Sequence, residues 1–270
     1  MILGALRNGI EIDPAEPAVT ADDRGFNYGD GLFETTLLRD GSIRFLRAHL
    51  SRLTLGCERL QIRFSEQELS ADIAKLTRVH RDGVLKIVVT RAAGGRGYRP
   101  DPAATANRIL TVHHLPVADE PGGLTVRWCT TQLSRNPALA GLKHLNRLEH
   151  VLAQNEWHEE RIEEGLMCDT EGELVSATAG NVFIVRNGTL CTPDLRFSGV
   201  LGVMRGEVLR IAGEMGIATS VEPLWPQDLQ EATEVFLTNA VRGIRSVAAI
   251  DDQRWESRAM AQNLIAALQL

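Results

Sequence analysis

The stretch that decides how this sequence is interpreted is Ala140-Gly141-Leu142-Lys143-His144-Leu145-Asn146-Arg147-Leu148-Glu149. It places a lysine just ahead of apolar residues at helical spacing, Leu145, Leu148 and Leu152. The spacing predicts that Lys143 lies at the start of a helix. A half-buried lysine loses its charge readily, and the neutral amine can capture an aldehyde as a Schiff base. The alternative is an ordinary surface lysine, because most lysines are exposed.

The composition is that of a globular protein and limits the classes of partner. The chain has 270 residues, 44% hydrophobic and 24% charged, which suits one large or two ordinary domains. A net charge of −6 argues against nucleic acid or an anionic membrane as the main partner. An anionic ligand would therefore need a local cluster of arginines.

Targeting and cysteine patterns point to the cytoplasm. The N-terminal apolar run is too short for a signal peptide, and no stretch approaches the ~20 apolar residues of a membrane span. Paired spacing is absent from the four cysteines, so neither a disulfide framework nor a metal site is expected; they are Cys57, Cys129, Cys168 and Cys191.

The first half of the chain predicts a small α/β unit. Its signals are a hairpin broken at Asn8-Gly9, a loop and strand around Asp30, a helix from Leu46, a capping box from Ser65 that opens a second helix, and buried strands at 84–90 and 109–115. The first of these buried strands runs into the arginine- and glycine-rich loop 91–100.

The second half predicts more strands than helices. Residues 118–123 have linker composition, which places the domain boundary there. Short strands are expected at 124–130, 166–169, 173–178, 181–186, 189–192, 234–238 and 246–250, with a type I′ turn at Asn187-Gly188. Glycines at 199 and 202 precede a helix to about Met215, and a helix start of this kind can seat a phosphate.

Taken in order, the motifs resemble the fold-type IV pyridoxal-phosphate enzymes over roughly Gly9 to Ile250. These motifs are Tyr28-Gly29-Asp30-Gly31-Leu32-Phe33-Glu34, His49-Leu50-Ser51-Arg52-Leu53, Lys143, Asn181-Val182-Phe183 and Gly199 to Arg205. The family holds branched-chain and D-amino-acid aminotransferases and 4-amino-4-deoxychorismate lyase. Within it, Gly94 to Tyr98 and Lys143 to Glu149 resemble the lyase.

The resemblance implies an α+β, two-domain fold like that of D-amino-acid aminotransferase. A smaller N-terminal α/β domain would span residues 1–118, and a larger C-terminal domain carrying the lysine would span 119–270. Pyridoxal 5'-phosphate would lie between the domains. The family assembles as a homodimer in which the second subunit completes the active site.

The resemblance also implies roles for individual residues. Lys143 would form the Schiff base and serve as catalytic acid and base, and Arg52 would bind the cofactor phosphate. Backbone N–H groups would assist at Val203, Met204, Asn239 and Ala240. The lyase substrate carries two carboxylates, and its candidate ligands in the glycine-rich loop are Arg91, Arg96, Tyr98 and Arg99, with Arg96 preferred over its neighbours. The other interpretation of these arginines is solvated loop charge.

Ser176 departs from the family pattern. Most relatives have a glutamate at this position, facing the pyridine nitrogen and keeping it protonated. A serine hydroxyl can bond that nitrogen without protonating it, which weakens the electron sink that transamination uses. Glu171 or Glu173 could take over the role, although the strand alternation turns Glu173 to the other side.

Three functions follow in order of preference. The first is a lyase that converts 4-amino-4-deoxychorismate to 4-aminobenzoate and pyruvate in folate biosynthesis. The second is a branched-chain or D-amino-acid aminotransferase of the same fold. The third is a non-catalytic pyridoxal-binding or scaffold protein, against which the lysine and phosphate motifs count.

Overall fold

The computed structural model describes residues 2–94, 97–117 and 122–270, and the chain divides into two compact units. The first unit comprises Met1–Ala118 and Leu142–Asn146, and the second comprises Asp119–Gly141 and Arg147–Leu270. The predicted boundary between residues 118 and 119 falls outside the described residues. Both units mix helices with a sheet, so the α+β prediction is confirmed.

The first unit is a six-stranded sheet with two long helices. Its elements are β1 (Ile2–Arg7), β2 (Ile10–Glu11), α1 (Arg24–Tyr28), β3 (Gly31–Arg39), β4 (Ser42–Ile43), α2 (Leu46–Leu60), α3 (Glu66–Val79), β5 (Gly83–Thr90) and β6 (Asn107–His113). The strand order is β2-β1-β6-β5-β3-β4, and every neighbouring pair is antiparallel.

The second unit is built on a nine-stranded sheet. Its elements are β7 (Leu124–Trp128), α4 (Leu148–Gln154), β8 (Glu164–Cys168), β9 (Leu174–Ala177), β10 (Asn181–Arg186), β11 (Thr189–Pro193), α5 (Val203–Glu214), β12 (Thr219–Glu222), a 3₁₀ helix (Pro226–Gln230), β13 (Glu234–Asn239), β14 (Gly243–Ile250), β15 (Gln253–Arg254) and α6 (Ala259–Leu268). The order is β12-β11-β10-β13-β14-β7-β8-β9, with β15 paired to β14.

Helix α2 packs closely on the inner face of β3. The helix buries Leu53, Gly56 and Cys57, and a Cβ on Gly56 would lie 2.7 Å from Leu32 of β3. The missing side chain therefore lets the helix backbone approach the strand. This contact brings the polar residues of α2 against β3.

The structure confirms the two Asn-Gly turns and the helix cap that the sequence predicts. Asn8 and Asn187 have φ angles of 49° and 51°, each followed by a left-handed glycine, as type I′ turns require. Ser65 accepts a hydrogen bond from the Glu68 N–H at 3.2 Å and caps α3. Within the described residues, no helix is both long and apolar enough to cross a membrane.

The prediction that Lys143 starts a helix is wrong. Helix α4 begins at Leu148, and Lys143 lies in an extended segment joined to β3. Backbone hydrogen bonds from this segment to β3 take the place of the hydrogen bonds that a helix would form here. Leu148 and Leu152 are 77% and 59% exposed in the single chain, so their spacing does not mark a face buried within it.

Candidate functional site

Lys143 is fixed on the edge of the first unit by backbone hydrogen bonds to β3. The Phe33 N–H donates to the Lys143 carbonyl at 2.9 Å, and the Leu145 N–H donates to the Gly31 carbonyl at 3.0 Å. The half-buried side chain places Nζ 4.1 Å from the centre of the Phe33 ring. Although the domain prediction assigned this lysine to the C-terminal domain, its contacts group it with the first unit.

Arg52 points its guanidinium at a buried carboxylate. Its Nε donates to Glu34 Oε1 at 2.7 Å, and its Nη2 donates to Glu34 Oε2 at 2.5 Å. The Arg52 side chain is 13% exposed and that of Glu34 is 1% exposed. A two-point contact of this kind fixes both the plane and the direction of the guanidinium.

Glu34 has a second partner on the same helix. His49 lies three residues before Arg52 on α2, and its Nδ1 is 2.6 Å from Glu34 Oε2. Burial alone would raise the pKa of Glu34. Hydrogen bonds from His49 and Arg52 outweigh burial and hold that pKa below its usual value. Glu34 is therefore ionised at neutral pH.

Arg91, which was predicted to bind the substrate, forms hydrogen bonds within the first unit instead. It donates from Nε and Nη2 to Asp30 at 2.8 and 3.1 Å, and from Nη1 and Nη2 to the carbonyls of Gln61 and Leu60 at 2.6 and 2.5 Å. Four of its five N–H groups are thus used within the unit. Arg91 ties the end of α2 to Asp30, and we correct its predicted role accordingly.

Arg24 holds the loop that follows β5. Its Nη1 and Nη2 donate to the carbonyls of Gly97 and Tyr98, both at 2.8 Å, and its Nε donates to Asp30 at 2.8 Å. The Tyr98 side chain is 86% exposed, with its ring edge-on to Tyr28 at 5.6 Å. The structure therefore places Tyr98 on a fixed backbone with an accessible ring.

The remaining loop candidates are Arg96 and Arg99. Arg96, the preferred substrate ligand, lies outside the described residues. Arg99 is exposed. Their predicted contacts with substrate carboxylates stay predictions.

In the second unit, the start of α5 has no side-chain cap. Val203 and Met204 form the first turn of the helix, and its N-cap residue Gly202 offers no side-chain cap. The first N–H groups of a helix have no partner within the helix and carry its positive dipole end. A Cβ at Gly202 would lie 1.9 Å from Asn181 Oδ1, so only glycine fits here.

Asn181 joins this helix start to the end of β13. Its Nδ2 donates to the Val200 carbonyl at 2.9 Å, and its backbone pairs with Thr238. Asn239 follows Thr238, and its side-chain oxygen accepts bonds from two N–H groups of the next turn, at 3.1 and 2.8 Å. The two predicted phosphate-binding segments, 203–204 and 239–240, are therefore held through one buried asparagine.

Ser176 is buried in β9, opposite Met167 of β8. Across the described residues, no hydrogen bond reaches its hydroxyl. Glu173, the alternative carboxylate, lies 3.5 Å from Arg135. The predicted contact of the Ser176 hydroxyl with a pyridine nitrogen stays a prediction.

Sequence reasoning did not assign site roles to Arg24, His49 or Asn181. The spacing of three between His49 and Arg52 was a usable signal for two side chains on one helix face. Arg24 and Asn181 had no such local signal, because each acts on backbone carbonyls or on residues far away in the sequence.

Comparison with known proteins identifies several similar chains. The sequence pattern of the amino-transferase class IV family matches residues 31–250. The crystal structure of 4-amino-4-deoxychorismate lyase from Pseudomonas aeruginosa superposes with a TM-score of 0.93 at 40% identity, covering 98% of each chain. Aminodeoxychorismate lyase of Vibrio harveyi is 33% identical over 238 residues, which is 86% of this chain and 87% of that protein.

A transaminase is also among the relatives. A putative branched-chain-amino-acid aminotransferase of Methanocaldococcus jannaschii is 33% identical over 254 residues, covering 90% of this chain and 86% of that protein. The chain is therefore as similar in sequence to this putative aminotransferase as it is to the Vibrio lyase, at 33% identity in each case. The solved lyase structure, at 40% identity, is more similar than either.

Proposed function

Because the chain belongs to the amino-transferase class IV family, we propose that it is the pyridoxal-phosphate-dependent lyase of this family, converting 4-amino-4-deoxychorismate to 4-aminobenzoate and pyruvate. The observation that carries this proposal is the likeness to a solved 4-amino-4-deoxychorismate lyase over 98% of the chain at 40% identity. The Vibrio lyase supports it independently at 33% identity.

The donor groups of the chain fit pyridoxal 5'-phosphate. A half-buried lysine is suited to its aldehyde, and an arginine with an uncapped helix start is suited to its phosphate. Lys143 and Arg52 would hold the cofactor together with the backbone of 203–204 and 239–240, and Ser176 would meet its ring nitrogen. When bound, the cofactor supplies an electron sink for the bond broken at the substrate.

Lys143 would act twice. Its amine would hold the cofactor through the aldehyde, and the same amine would take a proton and return it during turnover. A lysine can do both because its amine is a nucleophile when neutral and an acid when charged. The backbone hydrogen bonds to β3 fix the main chain at Lys143, and its Nζ lies 4.1 Å from the centre of the Phe33 ring.

The substrate would be a small dicarboxylate. The loop after β5 carries Tyr98 and Arg99, and Arg24 donates hydrogen bonds to the backbone carbonyls of Gly97 and Tyr98. Arg96 belongs to the same stretch of sequence but lies outside the described residues. Arginine binds carboxylates through two parallel hydrogen bonds, which also orients the molecule. We keep Arg96 and Tyr98 as proposed substrate ligands and exclude Arg91, because four of its five N–H groups already donate to Asp30, Leu60 and Gln61.

Three further properties are part of the proposal. We place the enzyme in folate biosynthesis through its product, and in the cytoplasm because its four cysteines are free thiols. We expect a homodimer, because α4 exposes Leu148, Val151 and Leu152 on a single chain, at 77%, 52% and 59%.

An assay of both products tests the function. The purified protein with pyridoxal phosphate and 4-amino-4-deoxychorismate should release pyruvate and 4-aminobenzoate in equal amounts without a keto acid. Lys143→Ala should lose on the order of a hundredfold or more of turnover, because it removes both the covalent contact and the proton-transfer group.

The same assay decides against the alternative. A branched-chain or D-amino-acid aminotransferase, which the Methanocaldococcus relative favours, would form a keto acid from an amino acid only when an acceptor keto acid is added. Product formation that depends on an acceptor, with no pyruvate from 4-amino-4-deoxychorismate, would contradict the lyase proposal.

A further inference from the structure

The first unit contains a triad of interacting side chains, Glu34, His49 and Arg52. The side chains of Glu34 and His49 are each 1% exposed, on β3 and α2, the two elements that also bury Leu32 and Leu53. A carboxylate is costly to bury in such surroundings unless charged or hydrogen-bonded partners compensate it. Here both partners come from one turn of α2.

The geometry orders the three side chains into a chain of contacts. Glu34 uses both carboxylate oxygens on Arg52, at 2.7 and 2.5 Å, and one of them also meets His49 Nδ1 at 2.6 Å. A carboxylate that is ionised can only accept, so the proton of this bond belongs to Nδ1. His49 therefore restrains Glu34, and Glu34 restrains Arg52.

The other nitrogen of His49 shows that this position is not explained by packing alone. His49 Nε2 is buried and makes no hydrogen bond to any residue in the described ranges. A buried polar atom without a partner costs free energy that a leucine at the same position would avoid. What the imidazole contributes in return is its bond to Glu34.

We propose that Glu34 and His49 are positioning residues for the cofactor phosphate: Glu34 holds the Arg52 guanidinium in one plane, and His49 holds the Glu34 carboxylate. This inference rests on the proposed function, which assigns the phosphate to Arg52. Pre-orienting a long side chain lowers the entropy lost when it binds an anion. The triad should therefore favour a cofactor that carries a phosphate over one that does not.

The test compares the binding of pyridoxal phosphate with that of pyridoxal, which lacks the phosphate. Dissociation constants are measured from the change in absorbance when each aldehyde reacts with Lys143, and the readout is the ratio of the two constants. A variant that only loosens the fold weakens both ligands alike and leaves the ratio unchanged. Glu34→Gln should lower the preference for the phosphorylated ligand by about tenfold.

Two substitutions at His49 separate positioning from packing. His49→Leu fills the position with an apolar side chain and removes the donor, and it should lower the ratio several-fold. His49→Asn can place its Nδ2 near the position of the imidazole Nδ1, and should restore the ratio toward that of the parent. Asp72→Asn is the matched control, because Asp72 is a buried partner of Arg108 in the same unit, and it should leave the ratio unchanged.

Arg52→Ala provides the reference for the complete loss of the contact. If Arg52→Ala loses the preference while Glu34→Gln and His49→Leu retain it, the positioning inference is wrong and the phosphate assignment stands. If Arg52→Ala retains the preference for pyridoxal phosphate, both the positioning inference and the assignment of the phosphate to Arg52 are wrong. Tighter binding of pyridoxal phosphate by Glu34→Gln would also overturn the inference, since Glu34 would then compete with the phosphate for Arg52. Pyruvate release by the parent is a separate measurement, so the lyase proposal can fail or hold on its own.

Discussion

Two carboxylates of the first unit, the buried Glu34 and the half-buried Asp30, show how the fold compensates a charged side chain that loses hydration. Asp30 accepts hydrogen bonds from Arg24 and Arg91, and Glu34 accepts them from His49 and Arg52. Each carboxylate has more than one cationic or donor partner, which offsets the loss of hydration. The same hydrogen bonds also fix the orientation of the arginines that contact the two carboxylates.

Ser176 is the residue at which the lyase and transaminase interpretations diverge. If its hydroxyl meets the pyridine nitrogen, a glutamate there would protonate the nitrogen and strengthen the electron sink. Ser176→Glu should then raise the formation of pyridoxamine phosphate from D- or L-alanine, measured by absorbance in a single turnover.

The control for this substitution is Ser176→Gln, which has nearly the same size without the charge. A gain with glutamate alone would assign the effect to the carboxylate. Equal rates in parent and Ser176→Glu protein, at equal cofactor occupancy, would show that another group contacts the nitrogen.

At the scale of elements, the start of α5 offers backbone N–H groups, and not side chains, as hydrogen-bond donors. Helix α5 begins without a side-chain cap, and Asn181 holds its start against the end of β13. The helix and the strand are connected through side-chain and backbone contacts of one residue. A change at this junction should therefore affect anion binding more than overall stability.

Gly202 at the N-cap of α5 and Gly206 within the helix provide a matched pair to test this junction. Gly202→Ala would place a Cβ 1.9 Å from Asn181 Oδ1, so Asn181 must shift, and binding of pyridoxal phosphate should weaken by about tenfold. At Gly206 nothing lies within 4 Å of the added Cβ. Gly206→Ala should raise the free energy of unfolding by about 0.5–1 kcal/mol, because alanine favours the helix interior.

Urea unfolding and cofactor titration of both variants check the pair. Unchanged phosphate affinity in Gly202→Ala, with the helix intact by circular dichroism, would remove the start of α5 from the cofactor site.

At the scale of the whole molecule, the depressed carboxylates predict how stability depends on pH. Burial raises the pKa of Glu34 and of Asp30, but their arginine and histidine partners lower it by more, so both lie below their usual values. A group whose pKa is lower in the folded state stabilises the fold above its unfolded pKa, and this contribution is lost as the pH falls through the folded value. We expect the free energy of unfolding to fall steeply below about pH 4.5, near the ordinary glutamate pKa.

Glu34→Gln tests this dependence because it cannot titrate. It should cost on the order of 3–5 kcal/mol at neutral pH, where it breaks a buried pair, and the loss of stability on acidification should be smaller than in the parent. Urea unfolding at several pH values measures both effects. An acid slope equal to that of the parent would show that other carboxylates control acid unfolding.

Local features of this protein follow from the sequence alone. Asn8-Gly9 and Asn187-Gly188 form the turns that their dipeptides predict, since left-handed backbone favours these residues. Ser65 caps α3, and the apolar stripe from Leu46 forms α2. In each case the determinants lie within a few residues of one another. The resemblance to fold-type IV enzymes likewise rests on short motifs, and the family match bears it out.

Other features depend on residues far apart in the chain, and only the tertiary structure decided them. Lys143 is extended because its backbone bonds to β3, more than a hundred residues earlier, which outweighs the helical spacing of the leucines that follow. The sequence predicts both Arg91 and Arg52 as ligands of an anion. In the structure, Arg91 donates its hydrogen bonds to Asp30 and to the end of α2, whereas Arg52 is oriented by its hydrogen bonds to Glu34. Sequence shows which side chains can carry charge or donate hydrogen bonds. Which of them remain for a ligand depends on the partners that folding brings within about 3 Å, the range over which a hydrogen bond acts.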